Sequence, residues 1–504
     1  MFLTIGGALC LAALLAESPE TTTSEAPSAV QEAQGAAVEL PALLDLESAQ
    51  RIALEQNPSL QAAEARIEQA RQRVKQARSA YFPQISAGWT GSVTELSDQV
   101  YGDAKRAVAA GQISGLSRTL LNSNIPLNNK ISSTALALIG IKQGQDAIDD
   151  TIEGYRADLS AFWLIFDGFG REFSVAAAKF GALASEASHR EAQRLILSAV
   201  ARTYYGVQLA RENIAIANAD EEFNRRQLTE AEARRRVGTG ALSDVLNFEI
   251  RVRAAQNALL TAEGSYKTVL IGLMALMGVS DAKVPEGLQL AELHPERPEE
   301  MQSPDAESLT AHALQNRPDM MSAKYARLGA EKGVGIQKSA YWPSVSAFAS
   351  RDGARTRNGF FETDDFSSTV GMSINYDIYT GGRRKAALKG AKAAQVEADR
   401  NAESLALGVA EDVRRSVVDL ATSQQVLLLQ RQTTEFVERN RDLVEKEYRA
   451  GQGSLVRLNE AQRDLIAQQS RLALARVAVR VAWHDLRTAT AETLEAFSDP
   501  EAQK

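Results

Sequence analysis

The chain is written twice. The segment NPSLQAAEARIEQARQRVKQARSAYFPQIS from Asn57 returns as RPDMMSAKYARLGAEKGVGIQKSAYWPSVS from Arg317, so that Pro58 matches Pro318 and Tyr81-Phe82-Pro83 matches Tyr341-Trp342-Pro343, each 260 positions on. A second set of echoes has a shift of 213: IFDGFGR from Ile165 with IYTGGRR from Ile378, and RVGTGALSDVL from Arg236 with RAGQGSLVRLN from Arg449. Such a duplication requires one structural unit built in two copies. The two shifts differ by 47, which places about that many extra residues in the first half, between Pro83 and Phe166.

Proline placement locates the helices, because an interior proline removes a hydrogen bond and clashes with the preceding turn. No proline occurs between Pro126 and Pro285 or between Pro343 and Pro500. Residues 173–236 and 386–449 are therefore continuous helix candidates, each about 96 Å long at 1.5 Å per residue. Both end at a Gly-x-Gly turn, Gly238-Thr239-Gly240 and Gly451-Gln452-Gly453, where glycine accepts the left-handed cap conformation. An antiparallel helix, 242–277 in the first half, follows the turn. With the helix opened by Asn57 as cap and Pro58 at its first position, it matches the long helix in length, so two short helices are expected to stack end to end beside each long one.

The segments between Tyr81 and Arg171, and their second copies, read as strands. Val370, Met372, Ile374, Tyr376 and Ile378 alternate with Thr369, Gly371, Ser373, Asn375 and Asp377; period-2 alternation over about ten residues marks a membrane barrel strand. Ile85, Ala87, Trp89 and Val93 alternate likewise with Gln84, Ser86, Gly88 and Thr90, whereas the partner, roughly 158–166, is apolar on both faces. Thr369, Ser373, Asn375 and Asp377 are the expected lumen-facing set; Trp89, Trp163, Tyr376 and Tyr379 are the expected interfacial belt. Beyond residue 20 no apolar run reaches the length of a membrane helix, so any crossing must be by strands. Four strands per chain cannot close a barrel, and the expected fold is an α/β membrane channel: a trimeric 12-stranded β-barrel continued by a 12-helix periplasmic α-barrel, with two internal repeats.

Composition narrows the function. A formal charge of −8, with Lys and Arg dispersed among acids, lacks the footprint of a nucleic-acid binder. His189, His294, His312 and His484 show no metal-ligand spacing, and Gly168-Phe169-Gly170 lacks the third glycine and the parallel-sheet context of a dinucleotide loop. No metal, cofactor or enzymatic activity is expected. Residues 1–16 read as a signal peptide, with lipidation at Cys10, the sole cysteine, as the alternative. Residues 17–43 read as a disordered leader, 44–277 as the first repeat, 95–151 as its extracellular insertion, 278–306 as a linker, 307–493 as the second repeat and 494–504 as a tail.

Together the SAYFPQIS and SAYWPSVS segments, the Phe-Asp-Gly and Tyr-Thr-Gly-Gly junctions and the two Gly-x-Gly turns resemble the TolC family of outer-membrane efflux proteins, over residues 44–493. The resemblance implies a homotrimer in the outer membrane of a Gram-negative-type cell, serving tripartite efflux or type I secretion as a passive conduit. It also implies docking of a periplasmic adaptor (membrane fusion) protein and an inner-membrane pump at Gly238, Thr239, Gly240, Gly451, Gln452 and Gly453. Carried over residue by residue, the gate positions are Asp244, Asn247, Arg457 and Glu460. Asp244 and Glu460 match the family's acidic pattern while Arg457 departs from it, and Arg457 is expected to pair with one of them. A periplasmic coiled-coil adaptor or scaffold is the alternative, against which the alternating strand at 369–378 stands.

Overall fold

The computed structural model describes residues 41–95, 97–99, 102, 105–107, 151–285, 287–294, 296, 301–356 and 359–498. The expected signal peptide, nearly all of the leader and most of the 95–151 insertion lie outside the described residues. Two compact units form, one from residues up to Glu68, Ala184–Lys324 and Asn401 onward, the other from Gln69–Leu183 and Tyr325–Arg400.

In chain order the elements are β1 (Leu43–Leu44), α1 (Leu46–Gln56), α2 (Pro58–Ser79), β2 (Gln84–Glu95), β3 (Thr151–Phe166), α3 (Gly170–Arg236) and α4 (Leu242–Met277). They continue with β4 (Gln289–Leu290), α5 (Ala306–Asn316), α6 (Pro318–Ser339), β5 (Ser344–Thr356), β6 (Phe366–Asn375), α7 (Arg383–Arg449), α8 (Leu455–Thr490) and α9 (Glu492–Ser498). Both long helices have 67 residues, three more at their start than proline placement indicates.

The duplication extends to individual caps. Asp45 and Asp305, 260 apart, are the N-caps of α1 and α5, each accepting from the backbone N–H three residues on, Ser48 at 3.0 Å and Ser308 at 3.1 Å. Such a cap satisfies one of the donors a helix start leaves open and contributes about 1 kcal/mol. The joint between stacked short helices is duplicated as well. The Asn57 amide donates to the Leu276 carbonyl at 2.8 Å, tying the start of α2 to the end of α4. Arg317, at the equivalent position before α6, donates to the Ala489 carbonyl of α8 at 3.4 Å. The end-to-end stacking thus rests on a side chain that closes a carbonyl left open at a helix C-terminus.

Two apolar cores hold the first unit around these joints. One gathers Leu44, Val200, Tyr204, Leu273 and Met277, with Leu290. Here β1 pairs in parallel with β4, so Leu43, placed in the leader by the sequence reading, and Gln289 and Leu290 of the linker form ladder contacts. The second core gathers Val409, Val413, Leu420, Leu486 and Ala313 from α7, α8 and α5. Between α1 and α8 lies a buried polar contact. The Gln50 amide donates to the Leu197 carbonyl at 3.0 Å and approaches His484 Nε2 at 2.9 Å. Because Gln50 Nε2 only donates, His484 Nε2 is the acceptor, and its ring is neutral with the proton on Nδ1, 3.3 Å from Thr488 Oγ1. Burial, with the nearby Arg487 and Arg202 charges, pulls the His484 pKa down to about 4.

The folded value lies below the ordinary 6.5, so the unfolded chain binds the proton first as pH falls. Stability is full above about pH 6.5 and declines down to about pH 4, by roughly 3 kcal/mol per chain at 1.36 kcal/mol per pKa unit. Thermal unfolding across this window is expected to show that slope in the native chain and lose it in His484→Gln.

Candidate functional site: the membrane sheet and the hairpin tips

The second unit contains a four-stranded antiparallel sheet in the order β2-β3-β5-β6. Its register sorts the side chains by face. Ile85, Ala161, Ala349 and Val370 form one cross-strand row, and Trp89, Ala157, Gly353 and Phe366 another on the same face. The adjoining row on the opposite face is Ser86, Ser160, Ser350 and Thr369, with Ser86 and Ser160 hydroxyls 2.7 Å apart. Between these two rows the same face carries Ala87, Leu159, Arg351 and Ser368, with Arg351 5.3 Å from the Phe366 ring centre. Val370 is 84% exposed and Ile374 73% exposed, so nothing among the described residues covers their end of the face. An uncovered apolar face opposite a hydroxyl face suits lipid on one side and water on the other.

Trp163 and Trp89 both lie on the apolar face, at opposite ends. Six residues of β3 separate their rows, about 20 Å at 3.3 Å per residue, close to the roughly 25 Å apolar band of a barrel. Trp89 packs at a tilt against Tyr155, ring centres 6.2 Å apart, and the Trp163 indole donates to the Tyr81 carbonyl at 3.0 Å. Thr369, Ser373 and Asn375 fall on the hydroxyl face. Asp377 does not: β6 ends at Asn375, opposite Ser344, because Pro343 terminates the partner strand. Asp377 lies past the strand and pairs with Arg383 at 3.4 Å, and Tyr376 and Tyr379 also lie outside the strand. The hydroxyl face also carries aromatics, which the sequence reading did not place there: Phe162 and Phe348 are cross-strand partners, and the Phe348 ring covers Gly371 so closely that a Cβ there would meet it at 2.6 Å.

Where strand passes into long helix, a duplicated arginine holds the corner. Arg171 donates to the carbonyls of Leu164 at 2.6 Å, Ile165 at 2.7 Å and Ala80 at 3.3 Å, with its guanidinium 5.0 Å from the Tyr81 ring centre. Arg384, 213 positions on, donates to the carbonyls of Asp377, of Ile378 at 3.3 Å and of Ala340 at 3.2 Å, 5.3 Å from the Tyr341 ring centre. The Tyr-aromatic-Pro motif and the glycine junction therefore meet through one guanidinium. The alignment at shift 213 contains this signal, as Arg171 and Arg384 coincide in it.

At the other ends of the long helices lie the two turns. Gly238 (φ 81°) and Gly451 (φ 77°) take the left-handed conformation. In each turn two following amides return to one carbonyl, Thr239 and Gly240 to Arg234, Gln452 and Gly453 to Glu447, at 2.9–3.1 Å. Nearby, an apolar cluster of Phe223, Val245, Phe248, Val444, Tyr448 and Leu458 joins the two hairpins. Beside it the contacts are polar: Asn459 donates to Asn247 at 3.1 Å, Gln462 to Asp220 at 2.8 Å and Gln227 to Glu445 at 3.1 Å. Burial first, and the Asp244 charge second, push the Tyr448 phenol above its ordinary pKa. Arg457 meets Glu447 at 3.1 Å, not Asp244 or Glu460 as the sequence reading paired it, because Glu447 sits at the matching side of the turn. Glu460 forms none of the contacts described around the tip.

These features coincide with the comparisons to known proteins. The family model described as "Outer membrane efflux protein" matches residues 50–279 and 309–492, and the chain belongs to that family. It is similar to the outer membrane efflux protein BepC of Brucella suis, 29% identical over 341 residues, covering 65% of this chain and 70% of the relative. It is also similar to the pyoverdine export outer membrane protein OpmQ of Pseudomonas aeruginosa, 27% identical over 346 residues, covering 67% and 71%. Among solved structures, the Campylobacter jejuni CmeC outer membrane channel aligns with a TM-score of 0.69 at 16% identity, covering 90% of this chain and 89% of that one. The Neisseria gonorrhoeae MtrE channel in its open state aligns with a TM-score of 0.65 at 20% identity, covering 88% of each. The protein is an outer-membrane efflux channel with a TolC-like fold.

Two outcomes follow for stability. Arg171→Met strands three carbonyls and is expected to cost roughly 3–5 kcal/mol, with Arg171→Lys recovering less than half because an ammonium cannot reproduce the planar fork; unfolding in detergent followed by circular dichroism measures both. Asn459→Leu alone leaves the Asn247 amide unmatched and is expected to cost about 1–3 kcal/mol, while the double Asn247→Leu, Asn459→Leu variant recovers most of that loss.

Proposed function

We propose that three copies of the chain close their sheets edge to edge into a twelve-stranded barrel and form the outer-membrane exit of a tripartite efflux or type I secretion system. The two-faced sheet with two open edges carries this reading. Among the described residues β2 and β6 each have one edge without a partner strand, and bilayer hydrocarbon does not tolerate unpaired backbone groups. A second copy supplies the missing ladder, and eight strands from two copies would fill their interior with side chains where twelve leave a wet lumen. The helices support the same assembly. Exposed Val418, Leu429, Phe436 and Leu443 recur along α7 at spacings of eleven and seven, and exposed Leu242, Leu246 and Ile250 line α4, the periodicity of helices that pack against neighbours.

In this assembly Thr369, Ser373 and Asn375 line the lumen, and Trp89 and Trp163 mark the two membrane interfaces. Gly238, Thr239, Gly240, Gly451, Gln452 and Gly453 form the surface that docks a periplasmic adaptor, through which an inner-membrane pump delivers cargo. Asp244, Asn247, Arg457 and Glu460, each present three times about the axis, form the gate. The Arg457–Glu447 pair is largely solvated and contributes little to stability on its own. Its role is electrostatic, through the field of three converging arginines.

Native mass spectrometry of the protein extracted from outer membranes is expected to give a trimer, and a monomer or dimer would overturn the assembly. In planar bilayers Arg457→Gln is expected to raise the resting conductance and shift selectivity towards cations. Conductance, selectivity and antibiotic uptake all unchanged would remove Arg457 from the gate.

A further inference from the structure

The helix ends that adjoin the membrane sheet reverse the charge of the rest of the chain. Across the whole sequence 64 acidic residues outnumber 56 basic ones. In α2, by contrast, Glu64 and Glu68 give way to Arg73, Lys75 and Arg78, all exposed, and no acid follows before β2. In α7 no acid lies between Arg383 and Lys392, and exposed Lys385, Lys389 and Lys392 precede Glu397 and Asp399. These cations crowd the N-terminus of α7, where the helix dipole disfavours positive charge. Helix stability therefore does not account for them. Neither does the corner clamp, which uses Arg384, nor the ion pair of Arg383 with Asp377. At the corresponding start of α3 Lys392 has a counterpart in Lys179, whereas Lys385 and Lys389 fall opposite Glu172 and Ala176, so most of the cluster is not an echo of the duplication.

Apolar exposure accompanies the charge. Ile378 and Tyr379, between β6 and α7, are 86% and 87% exposed. From Arg383 to Lys392 the helix rises about 14 Å, and from Arg73 to Ser79 about 9 Å, at 1.5 Å per residue. A headgroup layer of roughly 5–8 Å and a Debye length of about 8 Å together give a similar reach, beyond which a charged membrane surface is no longer felt. In α7 the basic run ends at about that reach, and the first acid, Glu397, follows at about 21 Å from Arg383; in α2 the nearest acids, Glu68 and Glu64, lie about 17 and 23 Å back from Ser79.

We propose that this collar binds the anionic phospholipids of the periplasmic leaflet, with Lys385, Lys389 and Lys392 pairing to lipid phosphates and Ile378 and Tyr379 seated at the base of the headgroups. Long basic side chains suit this geometry, since their stems lie along apolar surface while the charge reaches the headgroup plane. The inference rests on the reading of the sheet as membrane-spanning.

The test uses the full-length channel and a Lys385→Gln, Lys389→Gln, Lys392→Gln variant, reconstituted in nanodiscs containing phosphatidylglycerol in phosphatidylcholine. Lipid retained after extraction is counted by native mass spectrometry. The native channel is expected to enrich phosphatidylglycerol over phosphatidylcholine, and the variant, trimeric and equally folded by circular dichroism, to lose affinity by about fivefold per charge removed. Equal retention of both lipids, or enrichment undiminished in the variant, overturns the inference while leaving the channel reading intact. Displacement of phosphatidylglycerol by millimolar inorganic phosphate also overturns it, in favour of a free-anion site. Failure of the native protein to enter bilayers overturns the channel reading and this inference together.

Discussion

Backbone amides at a sheet edge have no partner in hydrocarbon, and most of what this chain does at its membrane end follows from that constraint. Four strands supply too few ladders to close, and among the described residues the outer edges of β2 and β6 have no partner strand. The sheet is complete only in company. The same requirement bears on the faces: the row Ile85, Ala161, Ala349, Val370 is apolar beside the row Ser86, Ser160, Ser350, Thr369, although Arg351 and Ser368 interrupt the first face and Phe162 and Phe348 the second.

The duplication solves a second problem, that of ending helices away from water. Each half finishes its short helices with a side chain that reaches an open carbonyl, Asn57 to Leu276 and Arg317 to Ala489. Each turns its long helix at the strand with a guanidinium that gathers three carbonyls. Arg171 and Arg384 occupy matching positions and meet matching tyrosines, so the corner predates whatever later separated the two halves. The amide Asn57 and the cation Arg317 show how far such positions drift while keeping one contact, since both need only a donor of sufficient reach.

Much of this was legible in the residues. The absence of proline allowed two long uninterrupted helices, and the glycine junctions and Gly-x-Gly turns set their ends to within three residues. The eleven-residue helices α1 and α5 were missed, although Asp45 with Ser48 and Asp305 with Ser308 lie at the shift already in hand; short helices carry a weak periodic signal and are found by their caps. The end of β6 was misjudged for a different reason. Alternation continues through Ile378, but a strand lasts only as long as its partner, and β5 begins after Pro343. Pairing partners are tertiary facts that one strand's pattern does not contain. The phenyl rings of Phe162 and Phe348 on the hydroxyl face belong to the same class, since only the register shows which face they share.

The two halves agree where geometry is demanding and diverge where charge does the work. At the turns the glycines coincide, yet Asp244 stands where the second half has Arg457, and Asn247 where it has Glu460. A left-handed residue admits few replacements, whereas a solvated charge costs little to exchange. The positions free to change are therefore those through which a duplicated rod can acquire two unlike tips. Around the tip cluster the hairpins meet through Asn459, Gln462 and Gln227, whose amides form single contacts and leave acceptor atoms of Gln227 and Gln462 without a partner. An interface of that kind loses less on separation than a hydrocarbon one, because water satisfies amides that the closed packing leaves partly unmatched. Polar contacts beside an apolar cluster thus suit two hairpins that remain distinct elements rather than fusing into one core.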